Sequence, residues 1–392
     1  MRPLDGITVL ALEHAVAAPL CTRHLADIGA RVIKVERLGS GDFSRGYDQR
    51  ALGMSSYFVW ANRSKESITL NLKHPEAVKV LHKLAARSDV LVQNLAPGAA
   101  ARLGMSYETL SKQHPQMIVC DISGYGADGP YRDKKAYDLM VQAESGLMAA
   151  TGTPETMARA GISAADIGAG MYAYSSILAA LLLRGRSGEG SHIDVSMFEA
   201  LTEWMGNPLY YSYQGQAPAP RTGGSHPSVL PYGPTPVGDG QTVMLGVQSQ
   251  NEWHNFCTSV LRRPEIEHDP RFASNTQRNQ HRAELDAIIA DCFGSLSRDE
   301  VEQRLESAQL ATARVNTAAD LWSHPQLAAR GQWAQVQTPA GPLTALRPPG
   351  RSNRYEARMD PIPAVGQHSE ALLRELGYDS EQILALRQAQ AV

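Results

Sequence analysis

The sequence predicts an α/β protein, a doubly wound and mainly parallel sheet followed by a smaller region of mixed helices and strands. Three observations carry that expectation. Short aliphatic and β-branched runs alternate with segments of helical period through the first 122 residues, a twenty-residue run from 164 to 183 contains one charged side chain, and Pro and Gly crowd residues 214–240.

Ile7–Leu12 reads as a buried strand, Leu20–Ile28 as a short helix ended by Gly29, and Arg31–Glu36 as a second strand, which together make a βαβ unit. Pro75 opens a helix in which Ala77, Val80, Leu81 and Leu84 recur at helical spacing, and Asp89–Asn94 and Met117–Ile122 follow as further strands. Ligands of such sheets bind at the carboxyl ends of the strands, here the loops 13–19, 37–43, 94–98 and 123–129. None of these loops contains a Gly-x-Gly-x-x-Gly or a Walker-type pattern, so dinucleotide binding and phosphoryl transfer lack their usual support.

The run from Ala164 to Leu183 is long enough to span a bilayer as a helix, since ~20 apolar residues suffice. Asp166, Gly168, Gly170 and Tyr172 favour instead a buried helix of a large core, ended by Arg184-Gly185, with Asp166 in its first turn. The open N–H groups and the dipole there favour an ionised carboxylate. A capping role alone explains an Asp at such a place. Gly168 and Gly170 point further, to open surface on which a ligand reaches the acid.

The Pro/Gly-rich stretch 214–240 reads as a linker or a long functional loop, residues 241–318 as a smaller mixed region, and 338–363 as another Pro-rich connection. A helical tail begins near Ser369 and restarts at Asp379-Ser380 after Gly377. A net charge of −3 with 20% charged residues gives no general reason to expect nucleic acid or an anionic membrane as partner. An anionic ligand must then find local cations, and Arg37, Arg102, Lys134 and Lys135 stand in or beside the strand-end loops. Cys21, Cys120, Cys257 and Cys292 are too scattered for a metal set and read as thiols of a reducing compartment. With no apolar leader after Met1, the expectation is a cytoplasmic protein without a metal. His14 and His226 are candidate acid–base groups, and Asn94 either bonds a ligand carbonyl or ends a strand. The residues by themselves reach an α/β enzyme with an acidic centre.

Longer segments carry a resemblance. Pro3–Leu10, Gly29–Arg37 with Gly39–Asp42, and Asn62–Leu70 resemble the class III CoA-transferase family, which includes formyl-CoA transferase and α-methylacyl-CoA racemase. So do Gln93-Asn94 with Pro97-Gly98 and Arg102–Gly104, Gly124–Gly126 with Gly129-Pro130, Tyr137-Asp138 with Gln142 and Ser145-Gly146, and Leu376-Gly377. The similarity runs in order along essentially the whole chain.

The resemblance implies that Asp166 is a nucleophile that attacks an acyl-CoA thioester, passing through an aspartyl anhydride and an aspartyl-CoA thioester, with CoA as substrate and no metal. It implies CoA contacts at His14, Ala15, Val16 and Ala17, at Arg37 and Leu70, at Asn94, Leu95 and Ala99, and at Arg102, Leu103 and Lys135. Arg37, Arg102 and Lys135 would meet phosphates through charge-assisted hydrogen bonds. Formyl-CoA transferase has consecutive glycines in a loop over its site; this chain has Gly223-Gly224 and then His226, so the lid and the acceptor differ. His226 and Arg45 are acceptor candidates, and the loop resembles that of members handling short dicarboxylates. The expectation is a succinyl-CoA donor and an acceptor of the itaconate, mesaconate, citramalate or glutarate type, as in succinyl-CoA:itaconate CoA-transferases.

A racemase is the rival reading, but it uses a His where this chain has Tyr137 before Asp138; a CoA-binding protein without catalysis is the third. The family architecture implies a Rossmann-like large domain over 1–213 that resumes at 326–392, the linker or active-site loop at 214–240, and a small α+β domain near 225–325. It also implies an interlocked, ring-shaped homodimer.

Overall fold

The computed structural model describes all residues, Met1–Val392. The chain divides into two compact units, one of residues 1–147, 160–206 and 326–392, the other of 148–159 and 207–325. The crossing thus falls at residue 207, ahead of the Pro/Gly-rich stretch, and the short excursion at 148–159 has no counterpart in the sequence expectation.

The first unit is built on six parallel strands: β1 (Thr8–Leu12), β2 (Arg31–Glu36), β3 (Lys65–Thr69), β4 (Val90–Gln93), β5 (Ile118–Ser123) and β6 (His192–Ser196). Their order is β3-β2-β1-β4-β5-β6, the doubly wound arrangement with its reversal between β1 and β4. Alternation along β1 sends Val9 and Ala11 to one core and Leu10 and Leu12 to the other. Helices cover both faces: Ala17–Asp27 and Ala164–Ser187 on the first, Pro75–Ala85 and the tail helices Ser369–Glu375 and Ser380–Gln388 on the second. β3 and β6 are the edges, and their mixed composition, Lys-Glu-Ser-Ile-Thr and His-Ile-Asp-Val-Ser, hides them from a search for apolar runs.

Two helix limits differ from expectation. The first helix begins at Ala17, because Pro19 falls in its first turn, where a missing N–H costs nothing. The long helix continues through Gly185 to Ser187 and stops at Gly188, whose left-handed φ of 75° places its N–H on the Arg184 carbonyl. That helix has the length and hydropathy of a membrane span. Its Ala165, Ala169, Ala173 and Ile177 are nevertheless buried among the side chains of the first core.

Gly168 and Gly170 are not open surface. A Cβ on Gly170 would stand 2.7 Å from the Ala17 carbonyl oxygen, and one on Gly168 would touch the Trp204 ring at 3.5 Å. These glycines let the long helix approach its neighbours closely.

In the second unit, β7 (Tyr232–Pro236), β8 (Thr242–Gly246) and β9 (Ala311–Arg314) form an antiparallel sheet beside a core of Trp253, Phe256, Phe293, Leu285 and Leu305. The stretch 214–240 is therefore part linker and part strand. Within 338–363, likewise, a strand at 341–346 pairs with Trp333–Thr338 in a hairpin of the first unit.

Candidate active site

The carboxyl ends of β1 to β4 open onto a cleft of about 850 Å³. His14 follows β1, Arg37 and Phe43 follow β2, Leu70 and Lys73 follow β3, and Leu95 and Ala99 follow β4. Arg37 is exposed, and its guanidinium lies over the Phe43 ring, 5.9 Å from the centroid. The His14 ring meets Phe43 edge-on at 4.8 Å. Burial, helped by the positive Lys34 and Arg37 and opposed by Asp42, holds the His14 pKa below its usual value.

Three acids also line this cleft, and each is neutralised from beneath. Glu13 takes Lys34 at 3.2 Å and Lys65 at 2.6 Å, Asp42 takes Lys34 at 2.8 Å, and Glu36 takes Arg45 at 2.7 Å. Burial alone would raise all three carboxyl pKa values, yet these cations hold them below the ordinary range. Lys65, wholly buried, is itself pushed down to about 8 by desolvation. An anionic ligand thus meets a floor without net repulsion, and Arg37 and Lys73 stand at its rim.

Asp166 stands in the first turn of the long helix, partly exposed, and its carboxylate accepts no hydrogen bond. The free N–H groups of that turn go elsewhere. Asp138 Oδ1 accepts from the backbone N–H of Ala165 at 2.8 Å and of Asp166 at 3.4 Å, while its Oδ2 accepts from Gln142 Nε2 at 2.7 Å. Asp138, not Asp166, caps the helix. The expectation that the dipole keeps Asp166 ionised is corrected accordingly: burial, and after it the Asp138 charge, pushes the Asp166 carboxyl up to about 7.

Residues 4–369 match the family described as CoA-transferase family III. The chain belongs to that family. Among its relatives, it is 34% identical to the succinyl-CoA:glutarate CoA-transferase of Mus musculus over 98% of this chain and 88% of that one. It is 33% identical to the succinyl-CoA–D-citramalate CoA-transferase of Chloroflexus aurantiacus, covering 100% of this chain and 98% of the relative. A solved CAIB/BAIF family protein from Brucella suis superposes with a TM-score of 0.85 at 32% identity, over 96% of this chain and 99% of its own. The family match, together with relatives named as CoA-transferases, makes this chain an enzyme that transfers CoA.

Of the CoA contacts expected of a family III member, His14, Arg37, Leu70, Leu95 and Ala99 line the cleft. Asn94 serves the wall instead: its amide clamps the His14 backbone, accepting from the N–H at 3.0 Å and donating to the carbonyl at 2.9 Å. Ala15, with a left-handed φ of 63°, donates its N–H to Asp42 at 3.2 Å. Val16 and Ala17 are buried, and Leu103 packs beside the second core. Arg102 and Lys135 are exposed outside the lining.

Arg45 is engaged within the protein. It holds Glu36 with two nitrogens at 2.7 and 2.8 Å, bonds the Pro363 carbonyl, and lies 3.6 Å over the Phe58 ring. Tyr137 is 62% exposed at the head of the Asp138–Glu144 helix. Gly223, Gly224 and His226 belong to the second unit. There the Gly223 N–H meets the Gly152 carbonyl, Gly224 packs on Pro234, and His226 Nδ1 accepts from the N–H groups of Ser228 and Val229 while its ring stacks on Tyr232.

Three groups escaped sequence reasoning. Lys73 lines the cleft together with Gln390 from the tail, and finding β3 would have pointed to the loop that holds Lys73. Tyr47 lies in the surroundings of Asp166: its phenol is raised to about 12 by partial burial, then by the Asp42 and Asp166 charges. Nothing in its sequence context marks it.

Proposed function

We propose that this enzyme moves CoA from succinyl-CoA to a short dicarboxylic acid of the glutarate, citramalate, itaconate or mesaconate type, with Asp166 as nucleophile. The observation that carries the reading is the Asp166 carboxylate, held without a hydrogen bond at a helix head and raised towards neutrality. Relatives named for succinyl-CoA with glutarate and with D-citramalate support the choice of acids.

In the first step an Asp166 oxygen attacks the thioester carbonyl, the C–S bond breaks, and CoA leaves as thiolate, giving an aspartyl–succinyl anhydride. The thiolate then attacks the aspartyl carbonyl and expels succinate, so that the enzyme carries an aspartyl-CoA thioester. The acceptor carboxylate repeats both exchanges in reverse and restores Asp166. One thioester is traded for another, and no external energy is consumed. Each tetrahedral oxyanion needs N–H donors aimed at the developing charge.

An interlocked homodimer belongs to the same reading, supported by the apolar surface that Met171, Leu182 and Leu183 expose along the long helix. So does a cytoplasmic setting, supported by four cysteines that stand as thiols.

The test is incubation with succinyl-CoA and a panel of acids, reading new CoA esters by mass. Transfer to a dicarboxylate that disappears in Asp166→Ala is the expected result. Exchange that survives in Asp166→Ala removes the mechanism, and α-deuteration in D₂O without transfer establishes the racemase instead.

A further inference from the structure

The walls of the cleft are joined by one side chain that catalysis does not use. Asp42 is 4% exposed, and both its oxygens are committed. Oδ1 accepts from the N–H of Ala15 at 3.2 Å and of Ser44 at 2.9 Å, and Oδ2 takes the Nζ of Lys34 at 2.8 Å. Lys34 is itself fully buried and reaches Glu13, the residue at the end of β1. The carboxylate therefore ties the loop after β2, which carries Arg37 and Phe43, to the loop after β1, which carries His14.

The tie acts at a strained point. Ala15 has φ of 63°, a region that an L residue with a Cβ enters only at a penalty of roughly tenfold in population. Asn94 clamps His14 just before it, and the Ala17–Asp27 helix starts just after it. Something must hold the turn between these two fixed points, and the Asp42 hydrogen bond is placed to do so.

We propose that Asp42 is a positioning residue for CoA: with Lys34 as its buried counter-ion, it fixes the left-handed turn at Ala15 and so sets the two cleft walls at the spacing the ligand requires. This rests on the reading of the cleft as the CoA site. Both Asp42 oxygens are committed within the protein, so it acts on the ligand through the loops it joins. Its negative charge would repel a polyphosphate if Lys34 did not cancel it, so its presence in an anion site is explained by the hydrogen bonds it makes.

The experiment is calorimetric titration of the full-length protein with free CoA, with thermal melts in parallel. Asp42→Ala raises the Kd for CoA about tenfold, because the turn is then held in only a fraction of molecules. Adding Ala15→Gly to Asp42→Ala recovers most of that loss, since glycine enters the left-handed region without the penalty. A merely structural role lowers the melting temperature but gives no such recovery. If Asp42→Ala does not fold, Lys34→Met with Asp42→Ala removes anion and cation together while Glu13 keeps Lys65, and the same rescue is read on that background. An unchanged Kd in the folded variant, or a loss that Ala15→Gly leaves untouched, overturns the proposal. Wild-type protein that binds no CoA overturns the assignment of the cleft, and the proposal with it.

Discussion

Replacing Asp166 by Asn makes this protein more stable at pH 8.5, by roughly two and a half times the gain that the same substitution gives at pH 5. The Asp166 carboxyl is raised from 3.8 to about 7 in the folded chain, first by burial and then by the Asp138 charge. Between those two values the folded state keeps a proton that the unfolded chain has lost, so stability falls as pH rises through that window and reaches its floor above 7. At about 1.36 kcal/mol per pKa unit, the full shift corresponds to a ceiling on the order of 4 kcal/mol. Solvent reaches the partly exposed group and reduces this to about half. Asn has the same shape and no charge to desolvate. Melting or urea midpoints of both proteins at pH 5, 7 and 8.5 give the difference directly, and the other titrating groups cancel in it. The expected gain at pH 8.5 is a few degrees. A difference that does not vary with pH, or a wild type that is the more stable protein at pH 8.5, refutes the argument that this carboxylate is held against its own solvation.

The same pKa predicts the kinetics: kcat/KM for acyl-CoA rises about tenfold per pH unit below 7 and levels above it, because only ionised Asp166 attacks, and a profile flat between pH 5 and 8 contradicts it. Arg37→Ala raises KM for acyl-CoA roughly tenfold, with little change in kcat and a weaker response to salt, as expected from losing one charge-assisted hydrogen bond worth about 1.5 kcal/mol. Gly170→Ala, whose Cβ would lie 2.7 Å from the Ala17 carbonyl, forces two packed helices apart and costs about 1–3 kcal/mol in a urea titration.

The central strands, the crossover helices and the tail were legible because burial on both sides of a parallel sheet writes itself as continuous aliphatic runs. The edges were not, since β3 and β6 carry Lys, Glu, His and Asp at positions the sheet covers on one side only. Losing β3 also lost Lys73. Asp166 stood out because one acid in a long apolar run is conspicuous, but its environment could not be read there. Twenty-eight residues separate Asp138 from Asp166, and only the fold shows that the first takes the hydrogen bonds expected of the second. For Arg45 the environment was hidden in the same way: a cation near a strand-end loop looked available, whereas Glu36, nine residues earlier, holds it.

The division of labour between Asp138 and Asp166 bears on what the second acid can do. Had Asp166 taken the N–H groups of its own helix, its charge would be solvated by them and its pKa depressed. A carboxylate so stabilised is a weak nucleophile, and its anhydride would collapse back towards the thioester. With Asp138 in the capping position, the helix end is satisfied by one carboxylate, and Asp166, the proposed nucleophile, is left with its lone pairs unshared. A pKa raised to about 7 still leaves the ionised form accessible near neutral pH, and that form is more basic than an ordinary aspartate. The stability cost at high pH and the gain in nucleophilic strength have one source, so the Asn variant that melts latest at pH 8.5 is also the one that transfers no CoA.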